Sequence, residues 1–203
     1  MPPDHLRFAA RSSDDQRAAL FDIVRDSPVL MRTLAGLRAL DLPDSWLVSG
    51  AIYNQVWNHL TGRPEMHGVK DIDLFYFDAD TSYEAEDREI RRAALLFPPE
   101  PPVELRNQAR VHLWYESHFG QNRAPLPDSR TAIDQFASRT HCVGLRLEAD
   151  YSLTLHAPYG LDDIFAFRLT PNPCLPNRAT HEAKAARQRS CWPELTVVPW
   201  PAD

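Results

Sequence analysis

The stretch Lys70-Asp71-Ile72-Asp73-Leu74-Phe75-Tyr76-Phe77-Asp78 places two aspartates on alternate positions at the start of an apolar segment. Its branched and aromatic residues predict a β-strand. Because successive strand side chains point to opposite faces, we expect Asp71 and Asp73 on the same face, roughly 7 Å apart along the backbone. Two such carboxylates repel each other unless a hard divalent cation lies between them. The pair therefore indicates either a metal site or a solvated strand end.

A glycine turn precedes the aspartates in the chain. Residues 44–51 predict a polar turn, a short apolar strand and a tight turn at Gly50, and residues 52–60 have helical character. A glycine between strand and helix lets the backbone pass close to a ligand. The N–H groups of the first helical turn can then bind a phosphate.

A third carboxylate, Glu104, lies at the start of residues 103–114, in which apolar and polar side chains alternate. This alternation predicts a strand over the whole segment, with its polar face open to a cleft. Glu104 is then a site residue or a surface acid. Arg106, on the same face, either binds a triphosphate or pairs with one of the acids.

In this order, the glycine turn, the paired aspartates and the third acid resemble the nucleotidyltransferase superfamily, which has the polymerase-β-like fold. With residues 49–57, 103–115 and 157–165, the chain is similar to a bacterial nucleotidyltransferase-like family once catalogued as a domain of unknown function. The resemblance covers about residues 15–195. It implies an α/β (α+β) fold, a nucleotidyltransferase-like mixed sheet flanked by helices, with further helices at the N-terminus.

The resemblance also implies an activity and a site. The chain would be an enzyme that moves an NMP group from a nucleoside triphosphate to an acceptor hydroxyl, with Mg²⁺ as cofactor. The catalytic and metal-binding residues would be Asp71, Asp73 and Glu104. The nucleotide-binding residues would be Ser49, Gly50, Ala51, Asn54, Lys70 and Arg106.

Two positions of this implied site leave alternatives open. Ala51 stands where the superfamily often has Gly or Ser, so a non-catalytic nucleotide- or partner-binding module on the same fold is the alternative function. Lys70 directly precedes the strand, where a lysine either contacts a substrate phosphate or is solvated.

Length and composition add further expectations. With 203 residues, of which 43% are hydrophobic, the chain is long enough to bury a core as one domain over residues 1–203. Segments 1–13 and 196–203 are expected to be loosely ordered. The three cysteines, Cys142, Cys174 and Cys191, are too widely and irregularly spaced for a disulfide framework or a zinc site.

Charge and hydropathy bear on partners and location. The net charge of −6 disfavours broad attraction to nucleic acid and favours a small-molecule acceptor. The absence of a signal-peptide core and of a run of 18 apolar residues predicts a cytoplasmic protein without a membrane partner. The sequence leaves the donor base, the acceptor and the oligomeric state open.

The rest of the chain predicts mostly helices. They are expected over residues 14–25, 28–40 and 83–96, with a short helix near 128–136, a hairpin over 143–157 and a short helix over 160–167. Asp162 and Asp163 either cap the last helix or join the site. The basic stretch 184–189 either faces solvent or clamps a phosphate.

Overall fold

A five-stranded mixed sheet organises the fold. The computed structural model describes residues 4–120 and 122–202. The strands are β1 (Trp46–Val48), β2 (Ile72–Tyr76), β3 (Val103–Asn107), β4 (Gly144–Leu147) and β5 (Leu153–His156), in the spatial order β3-β2-β1-β4-β5. Only the β2–β3 pair is parallel among the pairs of this sheet. Two short strands, β6 (Arg168–Leu169) and β7 (Thr196–Val197), pair separately and in parallel.

Helices flank this sheet, as the sequence predicts. They are α1 (Ser13–Arg25), α2 (Pro28–Leu40), α3 (Gly50–Thr61), α4 (Tyr83–Leu96), α5 (Val111–Phe119), α6 (Ser129–Asp134), α7 (Asp162–Phe165) and α8 (Arg178–Cys191). The predicted mixed α/β class with N-terminal helices is confirmed.

Local capping explains where several helices begin. The Ser27 hydroxyl accepts a hydrogen bond from the Leu30 N–H at 3.2 Å, and Pro28 occupies the first helical position, where its missing N–H costs nothing. Ser12, Ser82 and Asp128 cap α1, α4 and α6 in the same way. The helices predicted to start at residues 14, 28, 83 and near 128 begin within one residue of those positions.

The main core lies on one face of the sheet. Leu47, Leu74 and Leu105 project from β1, β2 and β3 into a cluster that includes residues of α1 to α4. The helix α3 is the centre of this core, since its side chains are buried almost all round. Trp57 of α3 donates to the Ile164 carbonyl at 2.9 Å, which fastens α7 to it. The opposite sheet face, which carries Asp73, is therefore the face left for a site.

The strand predicted over residues 103–114 is wrong beyond Asn107. There the buried Asn107 side chain accepts from the N–H groups of Asp78 and Ala109, at 3.0 and 3.1 Å, and turns the chain. A 3-10 turn (Gln108–Arg110) and α5 follow. Val111 and Tyr115, four residues apart, pack together on one helical face, so the apolar pattern that suggested a strand is satisfied by a helix.

The prediction that Asp162 or Asp163 caps α7 is also wrong. The N-cap position is Leu161, with no side-chain capping bond. Instead both aspartates pair with Arg168, and Asp162 accepts from the Ala10 N–H at 3.1 Å. Asp162 thus ties the N-terminal segment to α7, and neither aspartate lines the cavity that contains Asp73.

Parts of the terminal segments expected to be loosely ordered have regular structure. Asp4–Leu6 forms a 3-10 turn, and the neighbouring Phe8 packs against the main core. Thr196–Val197 is strand β7. For residues 1–3 and 203 the expectation lies outside the described residues.

Every helix in residues 4–120 and 122–202 is too short or too polar to cross a lipid bilayer.

Two glycines with positive φ allow a test of packing around α3. A Cβ at Gly68 (φ +71°) would lie 2.4 Å from the buried Trp192 ring, whereas a Cβ at Gly62 (φ +68°) meets nothing within 4 Å. Gly62→Ala should cost about 1–2 kcal/mol of unfolding free energy from backbone strain alone. Gly68→Ala should cost about 1–3 kcal/mol more because the ring must move. Urea denaturation of both variants measures this difference, and equal losses would contradict the packing described here.

Candidate active site

Two of the predicted acids face each other across adjacent strands. Asp73 of β2 is the direct partner of Glu104 in the parallel β2–β3 register. Their neighbours Ile72, Leu74 and Leu105 are buried in the main core, so both carboxylates lie on the opposite face. Asp71 precedes β2 by one residue. The register therefore brings Glu104 to the aspartate pair from a position 31 residues further along the chain.

The surroundings of Asp73 disfavour the negative charge of its carboxylate. Burial, together with the nearby carboxylates of Asp71 and Glu104, raises the pKa of Asp73 to about 6. The positive charges of Lys184 and Arg106 oppose that rise. A carboxylate whose charge is destabilised in this way is stabilised by an added cation. The nearby Lys184 and Arg106 thus do not fully compensate the negative charge of the three acids.

The donor set of the three acids fits a hard divalent cation, because carboxylate oxygens are the ligands that Mg²⁺ prefers. In the described part of the chain, however, no three His, Cys, Asp or Glu side chains form a ready-made metal cluster. Glu104 instead accepts from the Arg106 guanidinium at 3.4 Å, and both side chains are about half exposed. Such an exposed ion pair is weak, and either partner can be recruited by a ligand.

The glycine turn lies beside the aspartates. Val48, the last residue of β1, pairs with Asp73, and α3 begins two residues later at Gly50. Ser49 between them has φ 56° and ψ −113°, and its N–H donates to the Val143 carbonyl at 2.8 Å. The first N–H groups of α3 have no acceptor within the helix. The N-terminus of α3 therefore begins two residues after the strand residue that pairs with Asp73.

The space around Gly50 is open. A Cβ placed on Gly50 would come no closer than 3.8 Å to the Tyr53 hydroxyl and 3.9 Å to the Asn54 amide nitrogen. Asn54 is 1% exposed, and its Oδ1 has no hydrogen-bond partner. Ala51 is fully buried in the main core, so its side chain does not line the space beside the turn. The turn thus keeps room and polar atoms without its own side chains filling the space.

Lys70 and Arg106, the two remaining predicted residues, differ in position. Arg106 lines a cavity of about 670 Å³ together with Asp73 and Glu104. Lys70 is exposed just before β2 and does not belong to the residues that line this cavity. The structure therefore brings Arg106 to the acids and leaves Lys70 at the periphery.

Lys184 is a site residue for which the sequence leaves two alternatives, a solvent-facing position and a phosphate clamp. It projects from α8 into the cavity, with its Nζ 5.9 Å from the centre of the Phe136 ring. The buried face of α8 contains His181, Ala185 and Gln188, and two of these three side chains are polar. His181 before the basic stretch and Gln188 within it, seven residues apart and so on one helical face, were the available signal that this helix borders a polar site.

Three buried side chains, Tyr53, His141 and Gln188, contact one another next to the first turn of α3. The Gln188 amide donates to the Tyr53 hydroxyl at 2.6 Å, and its oxygen accepts from His141 Nε2 at 3.1 Å. The His141 ring stacks on Tyr53 with centroids 4.8 Å apart. Burial raises the pKa of Tyr53 and lowers that of His141 to about 3. Both side chains are therefore neutral near pH 7, and α8 is fastened to the first turn of α3.

A glycine turn after one strand and acids on the next two strands are the arrangement expected of a nucleotidyltransferase, and comparison with known proteins supports that class. Residues 35–197 match the model of a nucleotidyltransferase family, and the chain belongs to that family. The fold is similar to an NMR structure described as a CCA-adding enzyme head domain. The TM-score is 0.72 and the sequence identity 29%, over 89% of this chain and 95% of that one. No curated protein matches. The predicted resemblance to nucleotidyltransferases is confirmed.

The buried His141 predicts an acid-sensitive fold. Because its pKa is lower in the folded than in the unfolded chain, the unfolded chain binds more protons between about pH 6.5 and pH 3, and stability falls as the pH falls through this range. The loss between pH 7 and pH 4 should be on the order of 3 kcal/mol. His141→Gln should flatten the pH dependence measured by urea denaturation.

The matched control is His59→Gln, a substitution at an exposed position of α3. It should leave the pH dependence of the wild type unchanged. An equal acid sensitivity in His141→Gln and the wild type would show that His141 does not contribute.

Proposed function

We propose that this protein transfers an NMP group from a nucleoside triphosphate to the hydroxyl of an acceptor molecule in a Mg²⁺-dependent reaction. The observation that carries the proposal is the direct pairing of Asp73 with Glu104 beside the glycine turn. Family membership and the likeness to a CCA-adding enzyme head domain support nucleotidyl transfer as the reaction class. We place this reaction in the cytoplasm.

Donor binding would begin at the turn. The N–H groups of Gly50 and Ala51 donate to phosphate oxygens, as free groups at a helix N-terminus do. Ser49 holds the turn in position through its N–H bond to the Val143 carbonyl, and the buried Asn54 Oδ1 is available as an acceptor. Lys184, Arg106 and the more distant Lys70 add positive charge against the triphosphate.

Asp71, Asp73 and Glu104 would hold the metal. When bound, Mg²⁺ supplies positive charge that stabilises the attacking and leaving oxygens of an in-line displacement. The raised pKa of Asp73 is consistent with this role, since the added charge relieves the repulsion among the three carboxylates.

Glu104 would act on the acceptor. Its carboxylate takes the proton of the acceptor hydroxyl while the oxygen bonds to the α-phosphorus. The bond from that phosphorus to the bridging oxygen breaks, and pyrophosphate leaves. Because the Glu104–Arg106 pair is half exposed, releasing Glu104 for this task costs little.

A small-molecule acceptor is favoured over nucleic acid by the net charge of −6. A non-catalytic nucleotide- or partner-binding module on the same fold is the second candidate. It is favoured by the ion pair that occupies Glu104 and by the lack of a ready-made metal cluster among the described residues.

Thermal unfolding with and without Mg²⁺ and each nucleoside triphosphate tests the proposal. The unfolding temperature of the wild type should rise with one Mg²⁺–nucleotide pair, because ligand binding stabilises the folded state. Asp73→Asn and Asp71→Asn should lose this rise. Without ligand near pH 7, Asp73→Asn should be more stable by up to about 3 kcal/mol, since it removes a charge whose raised pKa marks it as destabilising.

The control is Asp87→Asn, which makes the same change at an α4 residue that pairs with Arg91 at 2.8 Å. It should keep the ligand-induced rise in full. If either Asp71→Asn or Asp73→Asn keeps the rise as well, the assignment of the metal-binding acids is wrong.

A further inference from the structure

The cavity is lined by Asp73 and Glu104 and not by the glycine turn. In the strand order β3-β2-β1, the glycine turn follows β1, Asp73 lies on β2 and Glu104 on β3. Asp73 and Glu104 line the cavity, whereas the turn residues 49–51 do not. In an in-line transfer, the attacking oxygen approaches opposite the leaving phosphates. If the triphosphate binds at the turn, as proposed above, this cavity is the space for the acceptor.

The walls of the cavity suit a flat ring. Phe75 and Phe136 stack with centroids 5.7 Å apart and planes inclined by 28°. Both line the cavity, as do Trp114 and Tyr115 of α5. Aromatic walls of this kind hold planar ligands by stacking, and a volume of about 670 Å³ is that of a small-molecule site.

Arg123 lines the same cavity and has no carboxylate partner among the described residues. The Arg123 guanidinium lies 4.8 Å from the centre of the Tyr115 ring and donates to the Gln135 side-chain oxygen. Its Nε is buried and has no hydrogen-bond partner. Within residues 4–120 and 122–202, no carboxylate lies at ion-pair distance from Arg123. Burial lowers the pKa of Arg123, which marks its charge as incompletely compensated.

We propose that Arg123 binds the carboxylate or phosphate of a small, ring-bearing acceptor, whose hydroxyl is thereby directed to Glu104. A guanidinium offers paired donors that match either anion. The ring of the acceptor lies against Phe136 and Tyr115. This assignment rests on the proposed nucleotidyl transfer for the role of the ligand as acceptor, whereas the anion site itself is independent of it.

The test uses the full chain with EDTA and no nucleoside triphosphate, so that its outcome is separate from that of the donor-binding test. Two pairs of probes, each an anion and its neutral counterpart, are titrated: para-hydroxybenzoate with para-hydroxybenzyl alcohol, and AMP with adenosine. Binding is followed by the NMR signal of the Trp114 indole N–H, assigned with Trp114→Phe. The two anions separate a carboxylate ligand from a phosphate ligand.

At least one anion should bind more tightly than its neutral counterpart and shift the Trp114 signal. Arg123→Gln should weaken that binding by about ten- to a hundredfold, as loss of one charged hydrogen bond implies, and Arg123→Lys should weaken it less. The control is Arg38→Gln, which removes an arginine 4.9 Å from the Tyr151 ring, outside the cavity. It should change nothing.

Three results would overturn the proposal. The first is that no anionic probe binds or shifts the Trp114 signal. The second is that Arg123→Gln binds the anions as well as the wild type does. The third is that a single-stranded RNA oligonucleotide binds through Arg123 while both small anions fail, which would assign the cavity to RNA.

Discussion

The parallel pairing of β2 with β3 is the interaction on which the site depends. It sets Asp73 opposite Glu104, and the register of β1 with β2 places the turn at Gly50 beside Asp73. A parallel pair requires a crossover, and α4 provides it. At its far end β3 is closed by Asn107, whose amide bonds to the Asp78 carbonyl at 2.9 Å. A slip of one residue in this pairing would turn Glu104 into the core and abolish the site.

The site is held together at a cost in electrostatic energy. Hydrophobic burial on the core face of β2 and β3 fixes the strands, and the acids on the opposite face repel one another as a consequence. Unfavourable interactions of this kind are common at ligand-binding sites, where a bound ligand relieves them. The backbone of Ser49, in a region of φ rarely used by non-glycine residues, belongs to the same pattern. Behind it, Gln188 and Tyr53 are hydrogen-bonded and buried, which gives the turn a rigid support.

Those parts of the fold that are decided within a few residues could be predicted from the sequence. The starts of α1, α2, α4 and α6, the Asp-x-Asp strand and the hairpin are of this kind, because hydrophobic period and helix capping depend on neighbouring residues. The end of β3 could not be predicted from the sequence, because the apolar residues after Asn107 are compatible with a strand and with a helix. The buried hydrogen bonds of the Asn107 side chain decide between the two. The acids of the candidate site were visible as a motif. The positions of Lys184 and Arg123 depend on how α8 and the chain after α5 pack over the sheet, which no short stretch of sequence specifies.

The most direct test is a calorimetric titration of ATP, CTP, GTP and UTP into the wild-type protein, once with Mg²⁺ and once with EDTA. The account predicts that at least one of these nucleotides binds with Mg²⁺ and that its affinity collapses in EDTA, because the acid cluster repels a bare triphosphate. Affinity that is the same in both solutions, or no binding of any nucleotide, would contradict the claim that Asp71, Asp73 and Glu104 form a metal-dependent nucleotide site.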